Sequence, residues 1–189
     1  MIRRPTLEVM ADDRVLVRRV RLPDLDAIYR GVRDSLPELA PWSPWAKPDY
    51  SRSDAADWLA RSWLGWSSGS QLDFVVAHPD DGHLIGIVGL NGIDPEGGRA
   101  NLGYWIRSDE AGNGYCTAAA RLVAHFAFAE LELSRLRLFH AVGNEGSRRV
   151  AEKVGFVLEG RQRARAALHG HPVDTLLYSL IDPCEIRDD

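Results

Sequence analysis

The sequence predicts an α/β fold whose sheet is mixed and mostly antiparallel, with one parallel β-α-β crossover. Three features predict it. Apolar runs at 72–78, 83–93 and 99–107 are joined by the turn sequences "PDDG" and "DPEGG", which suit antiparallel hairpins. The last of these runs leads through a long helical pattern to another apolar run at 135–142, and a strand–helix–strand unit is how parallel neighbours are connected. Finally, 45% hydrophobic and 26% charged residues in 189 are ordinary globular values, without repeat, low-complexity tract or linker, so residues 1–189 are expected to form a single domain.

The elements follow in order. "RVLVRRVRL" (14–22) alternates apolar and charged residues, as a half-buried strand does. Pro23 suits a first helical turn, with Leu25, Ile28 and Val32 on one face of the helix behind it. Segment 36–51, rich in proline and aromatics, predicts a loop or short irregular stretch. Ser53 is the expected cap of the next helix, in which Trp58 and Trp66 lie eight residues apart. The long helix begins behind Gly114 and is expected to bury Leu122, Phe126 and Ala129. After strand 135–142 comes the short helix "EGSRRVAEKVG", closed by Gly155, and then a hairpin of two strands around "HGH".

Charge and composition narrow the function. A net charge of −4 argues against a nucleic-acid binder that works by neutralising phosphates. The basic start has no apolar leader behind it and no run approaches 18 apolar residues, so a cytoplasmic protein without a membrane span is expected. Cys116 and Cys184 are too few for a metal site of their own and show no disulfide spacing, so reduced thiols and no metal are expected.

The most informative stretch is "GYWIRSDEAGNGYCTAAARLVAHF" (103–126), where a strand passes to a helix through Gly112 and Gly114. A helix N-terminus offers unpaired N–H groups and partial positive charge, and glycine lets a bulky anion approach the backbone. Phosphate or pyrophosphate is the natural occupant, held by the amides of Gly112, Asn113, Gly114, Tyr115, Cys116 and Thr117. A nucleoside-triphosphate loop would need Lys-Ser/Thr after its last glycine, where Tyr115-Cys116 stands. A dinucleotide loop would need a third glycine near the start of a βαβ unit, which is absent.

The surrounding motifs decide between the remaining possibilities. Gly103-Tyr104-Trp105, the Gly112–Thr117 loop, Asn144-Glu145-Gly146-Ser147 and Lys153-Val154-Gly155-Phe156-Val157-Leu158-Glu159-Gly160 occur in this order, and together they resemble the RimJ/RimL branch of the GNAT acetyltransferases. The likeness is strongest over residues 83–181, and "PELAPWSPW" looks like the tryptophan-containing substrate loop of that branch. It implies the GNAT acyl-CoA N-acyltransferase fold, with the parallel crossover at the CoA site. Acetyl-CoA would place its pyrophosphate on amides 112–117 and its pantetheine between diverging strands 99–107 and 135–142. Backbone groups of Trp105, Ile106 and Arg107 would pair with the pantetheine like an added strand, and one amide there would polarise the thioester carbonyl. Asn144 would bind the pantetheine arm, and Ser147 would stand near the sulfur to protonate the leaving thiolate. Asn144 also suits a helix cap.

The expected reaction is direct transfer of an acetyl group to a primary amine, with a protein N-terminal α-amine as acceptor. A small-molecule amine (polyamine, amino acid derivative or antibiotic) and a non-catalytic CoA-binding sensor are the alternatives, and a homodimer is what the resemblance implies. Departures from the branch are Asn101, where relatives carry a glutamate, and Asp109, where their loop begins with Gln or Arg. Glu38, Asp109, Glu110 and Glu159 are therefore candidates for a general base. Cys116 as a nucleophile lacks a neighbouring base, His125 and His140 are expected to be structural, and Trp42, Trp45 and Trp63 are candidates for lining the acceptor pocket.

Overall fold

The computed structural model describes residues 9–187. The leader pattern sought at the N-terminus and the ends of the expected 1–189 domain therefore fall partly outside the described residues. The strands are β1 (Val9–Ala11), β2 (Leu16–Arg19), β3 (Gln71–Ala77), β4 (Leu84–Asp94), β5 (Arg99–Ile106), β6 (Arg135–Ala141), β7 (Val157–Leu168) and β8 (His171–Leu180). The helices are α1 (Leu25–Asp34), the single turn α2 (Leu36–Leu39), α3 (Arg52–Ser68), α4 (Tyr115–Ala129) and α5 (Glu145–Val154). Among the described residues the eight strands form one sheet in the order β1-β2-β3-β4-β5-β6-β8-β7, antiparallel throughout except for β5 and β6. The expected mixed sheet with one parallel crossover is what the chain builds.

Helices cover both faces of the sheet. On one face α4 lays Ala118, Ala119, Ala120, Val123 and Ala127 against Leu72, Val88 and Leu102, and the alanines let the helix sit close. On the other face α1 and α3 present Ile28, Val32 and Leu59 to Val75 and Ile87. These two faces follow from the period-2 alternation of β3, where Leu72, Phe74 and Val76 face α4 while Asp73, Val75 and Ala77 face α1 and α3.

Local chemistry explains the ends and corrects some expectations. Ser51, not Ser53, caps α3: its hydroxyl accepts from the Asp54 amide while Asp54 accepts from the Ser51 amide, a reciprocal box that spares two orphan donors. Pro23 starts a 3-10 turn, Leu22–Asp24, that leads into α1. Segment 36–51 holds the turn α2 as well as irregular backbone. On α4, Phe126 is buried as expected, but Leu122 is half-buried and Ala129 exposed, because the closer turns are held by the smaller alanines. Gly155 ends α5 at φ 113, and a Cβ there would collide with the Glu185 carbonyl, so only glycine fits. No described helix is long and apolar enough to cross a membrane.

The parallel pair positions the site. β5 and β6 are in register only over Arg99–Asn101 and Arg135–Arg137. Beyond that point both strands continue, β5 to Ile106 and β6 to Ala141, without pairing to each other. The sheet is split there into a wedge.

Candidate active site

A cleft of about 840 Å³ fills the wedge and runs to the N-terminus of α4. Gly112 (φ 92) and Gly114 (φ 82) are both left-handed, and Gly114 is the N-cap of α4 without any side-chain cap bond. The first-turn amides of α4 are therefore free to face the cleft, as an anion site requires. Gly114, Tyr115, Cys116 and Thr117 line it, with Gly112 beside them. Asn113 does not; its side chain donates to the Glu110 carbonyl at 3.3 Å. Of the two arginines on α5, Arg148 is tied to Glu145 (2.7 Å) and Glu152 (2.8 Å), whereas Arg149 lines the cleft together with Lys153.

Strand β5 supplies the edge of the wedge. Trp105 and Ile106 line the cleft, but Arg107 does not. The Arg107 amide donates to Ile85 at 2.9 Å and its carbonyl accepts from Glu110 at 3.1 Å, so its backbone is already used. Backbone groups alternate sides along a strand, so the Trp105 amide turns towards β4 like that of Arg107, and those of Tyr104 and Ile106 turn into the wedge. Of residues 105–107, only Ile106 thus turns its backbone groups into the wedge, where those of Tyr104 join it.

At the far wall stands α5. Asn144 is its N-cap, and its Oδ1 accepts from the Ser147 amide at 3.0 Å. The side-chain NH2 of Asn144 remains for a ligand. Ser147 Oγ lies 3.0 Å from the phenol oxygen of Tyr104, which also donates to the Ser147 carbonyl at 3.2 Å. Desolvation raises the Tyr104 pKa well above an ordinary phenol, so the group stays protonated. The sequence assigned Tyr104 to strand packing; its contact with Ser147, 43 residues away, carries no local signal.

A second cavity of about 510 Å³ lies on the opposite side of β5, beneath α1 and α3. Both cavities reach Ser43, Gly103, Tyr104 and Trp105. Trp45 lines the second cavity, its ring 6.2 Å from that of Trp105, and Trp58 lines it too. Trp42 lines the first cleft instead, and Trp63 lines neither. Asp73 lies on the second cavity's wall at 7% exposure. Burial raises its pKa, against the pull of Ser62 and Gln71. Only Gln71 completes a hydrogen bond, Nε2 to Oδ2 at 2.7 Å, while the buried Ser62 hydroxyl approaches without completing one. The signal for Asp73 was present in the sequence as the single charge inside the apolar run "LDFVVA".

The expected base candidates fare differently. The Arg107 guanidinium holds Asp109 low, and those of Arg135 and the Ser179 hydroxyl hold Glu159 low. Glu110 takes a hydrogen bond with His83 at 2.8 Å, and Glu38 accepts from Ser108 at 2.7 Å at the rim of the first cleft. Burial disfavours the charged form of His83, but its bonds to Glu110 and Asp81 outweigh this and raise its pKa. His78, Asp81 and His83 bring ligand-type atoms within 4.8 Å of one another, yet both ring nitrogens of His83 are already engaged by carboxylates. Cys116 and Cys184 are free thiols, and burial pushes the Cys116 thiol well up, away from a reactive thiolate. His125 is exposed; His140 stacks on Tyr178 with ring centres 5.2 Å apart.

A split parallel pair with a glycine-lined helix N-terminus at its mouth is the geometry that the sequence motifs implied, and residues 14–157 match the family described as acetyltransferase (GNAT) domain. The chain belongs to the GNAT acetyltransferase family. Among relatives of this GNAT protein, "Putative ribosomal N-acetyltransferase YdaF" of Bacillus subtilis is 43% identical over 101 residues, 53% of this chain and 55% of the relative. The "Ribosomal-protein-serine acetyltransferase" of Escherichia coli is 32% identical over 108 residues, 57% of this chain and 59% of the relative. The match thus spans little more than half the length of these two relatives. The structure of Mycobacterium smegmatis RimJ in complex with a CoA-disulfide aligns with a TM-score of 0.82 at 26% identity, covering 88% of this chain and 81% of that one. These likenesses bear out the resemblance to the RimJ/RimL branch.

Proposed function

We propose that this GNAT protein transfers an acetyl group from acetyl-CoA to a primary amine within a ternary complex. The meeting of two cavities at Gly103–Trp105 carries the proposal, because it allows donor and acceptor to reach one strand edge from opposite sides. The M. smegmatis structure with its CoA-disulfide supports CoA as the donor's carrier. The names of the relatives favour a protein as acceptor, and its N-terminal α-amine is the group proposed to react.

In this proposal the pyrophosphate rests on the amides of Gly114 to Thr117, with Gly112 and Asn113 shaping the turn. The pantetheine pairs with Tyr104 and Ile106 and meets the Asn144 amide. The thioester carbonyl accepts from a β5 amide as negative charge develops on its oxygen. The amine nitrogen forms a bond to the carbonyl carbon, the C–S bond breaks, and Ser147 gives a proton to the thiolate. Tyr104, a phenol that burial keeps protonated, orients Ser147 Oγ through their hydrogen bond, and the proton shed by the nitrogen as the amide forms replaces the one Ser147 gave. A covalent Cys116 intermediate is disfavoured by its raised pKa.

The test has two parts. Titration calorimetry should register CoA binding to the full chain. Thiol release should then be measured with peptide amides beginning in Ser, Ala and Met, with spermidine, and with free amino acids. Turnover on the peptides is the expected outcome. Turnover on spermidine alone would reassign the acceptor, and binding without any turnover would reduce the protein to a CoA sensor.

A further inference from the structure

The second cavity holds a buried carboxylate, Asp73, on its wall. A primary ammonium must lose a proton before it can attack a thioester; an α-amine has an ordinary pKa near ~8 and a lysine amine near ~10.4. We infer that Asp73 is the proton acceptor for the acceptor ammonium, acting through one water across the floor formed by Gly89 and Gly103. This inference rests on the acetyl-transfer reading above.

The geometry comes from register. Asp73 pairs with Gly89 across β3–β4, and Gly89 pairs with Gly103 across β4–β5, so the three occupy one row on one face of the sheet. The flanking rows carry side chains: Gln71, Asn91 and Asn101 on one side, Val75, Ile87 and Trp105 on the other. The row of Asp73 is therefore a trench leading to the strand edge where the two cavities meet. The carboxylate lies along this trench, since a Cβ built on Gly89 would stand 2.7 Å from Asp73 Oδ1. From Gly89 to Gly103 is one inter-strand step of about 4.8 Å. A single water making two hydrogen bonds of about 2.8 Å spans that step. Gln71 holds the other oxygen, Oδ2, and so aims Oδ1 along the row.

The other charged groups of the cavity do not substitute for it. Lys47, on the loop before α3, pairs with Asp54 at 3.3 Å, and the Ser51 hydroxyl and amide hold Asp54 down at about 2. Asp57 and Arg61 are exposed on α3, and Ser62 and Gln71 are the polar neighbours of Asp73 itself. Burial makes Asp73 a stronger base than an ordinary aspartate, which matches it better to an ammonium. The protons balance. The ammonium gives its first proton through the water to Asp73, which passes it to solvent. The proton shed as the amide forms equals the one the thiolate takes up.

The experiment compares wild type, Asp73→Asn and Gln71→Leu on the panel acceptor that wild type turns over fastest, from pH 5 to 10. Asp73→Asn should lower kcat about 100-fold or more at neutral pH, with unchanged CoA affinity. Its deficit should shrink towards high pH, where the solution supplies free amine. Gln71→Leu removes a hydrogen bond from the charged form of Asp73, so the acidic limb of kcat should move up by about one pH unit. The amine titrates identically in all three proteins, so a moved limb belongs to the enzyme. Asp73→Asn with wild-type kcat and pH profile overturns the inference and leaves acetyl transfer standing. If Asp73→Asn does not fold, a Gln71→Leu limb that stays in place overturns it equally. Failure of wild type on every acceptor removes both the function and this inference.

Discussion

Replacing Tyr104 by Phe removes one oxygen from the interior of the wedge and leaves the ring that packs against the core. That oxygen makes two contacts, 3.0 Å to Ser147 Oγ and 3.2 Å to the Ser147 carbonyl. The phenol has one proton, so it donates to only one of them at a time. The carbonyl keeps its place in the α5 ladder, and the net stability loss is about 0.5–1.5 kcal/mol, the worth of one hydrogen bond. In a chain of this size each kcal/mol moves Tm by about 2–4 °C, so a fall of roughly 1–6 °C is expected in a thermal melt. If the same bond orients the Ser147 hydroxyl at the sulfur, its loss divides kcat by roughly 2 to 13. KM for acetyl-CoA should hardly change, because the pyrophosphate contacts lie at α4 and the pantetheine would pair with the Tyr104 backbone, which the substitution leaves intact. Thiol-release kinetics on Tyr104→Phe, Ser147→Ala and the double variant measure the coupling directly. The double variant should be no slower than Ser147→Ala alone, since the phenol acts through the serine. Effects on kcat that multiply would refute a phenol that acts through the serine.

Gly114→Ala puts a side chain at φ 82, and its Cβ comes within 3.2 Å of the Arg14 guanidinium. Strain of about 1–2 kcal/mol pushes the turn out of its ligand-ready shape, and calorimetry should show CoA binding weakened about 5- to 30-fold. Asn144→Ala loses the α5 cap and about 0.5–2 kcal/mol of stability, read by denaturant unfolding; Asn144→Asp keeps the cap but should still weaken CoA binding, since only the NH2 is lost. The raised pKa of Asp73 also has a stability consequence. The folded state holds that proton more tightly than the unfolded chain, so stability contributed by protonated Asp73 is present at low pH and lost as pH rises from the unfolded value near ~3.9 through the raised folded value. Asp73→Asn should therefore melt above wild type at pH 7, with the gap closing towards pH 4; a gap that widens on acidification would contradict the burial argument.

Motif order and turn chemistry made much of the protein legible from its sequence. "PDDG" and "DPEGG" gave the hairpins, and the helix between strands 99–107 and 135–142 gave the parallel pair. Gly112, Gly114 and Asn144 were legible because each performs a backbone task, positive φ or capping, that few residue types perform. Ser53 was mistaken for Ser51 because serines two apart are equivalent as caps until the box with Asp54 is closed. The Tyr104–Ser147 contact, the direction in which Asp73 looks and the commitment of Arg107 were not legible, and for one reason. Which way a strand's backbone and side chains point is set by register against neighbours distant in the chain. The sequence by itself determined most of the elements and the glycine turn before α4, since both depend on residues close along the chain. Only the tertiary structure decided that β5 and β6 part after three pairs, that Asp73 looks along two glycines, and that a tyrosine on β5 meets a serine on α5, because each is a contact across strands or layers.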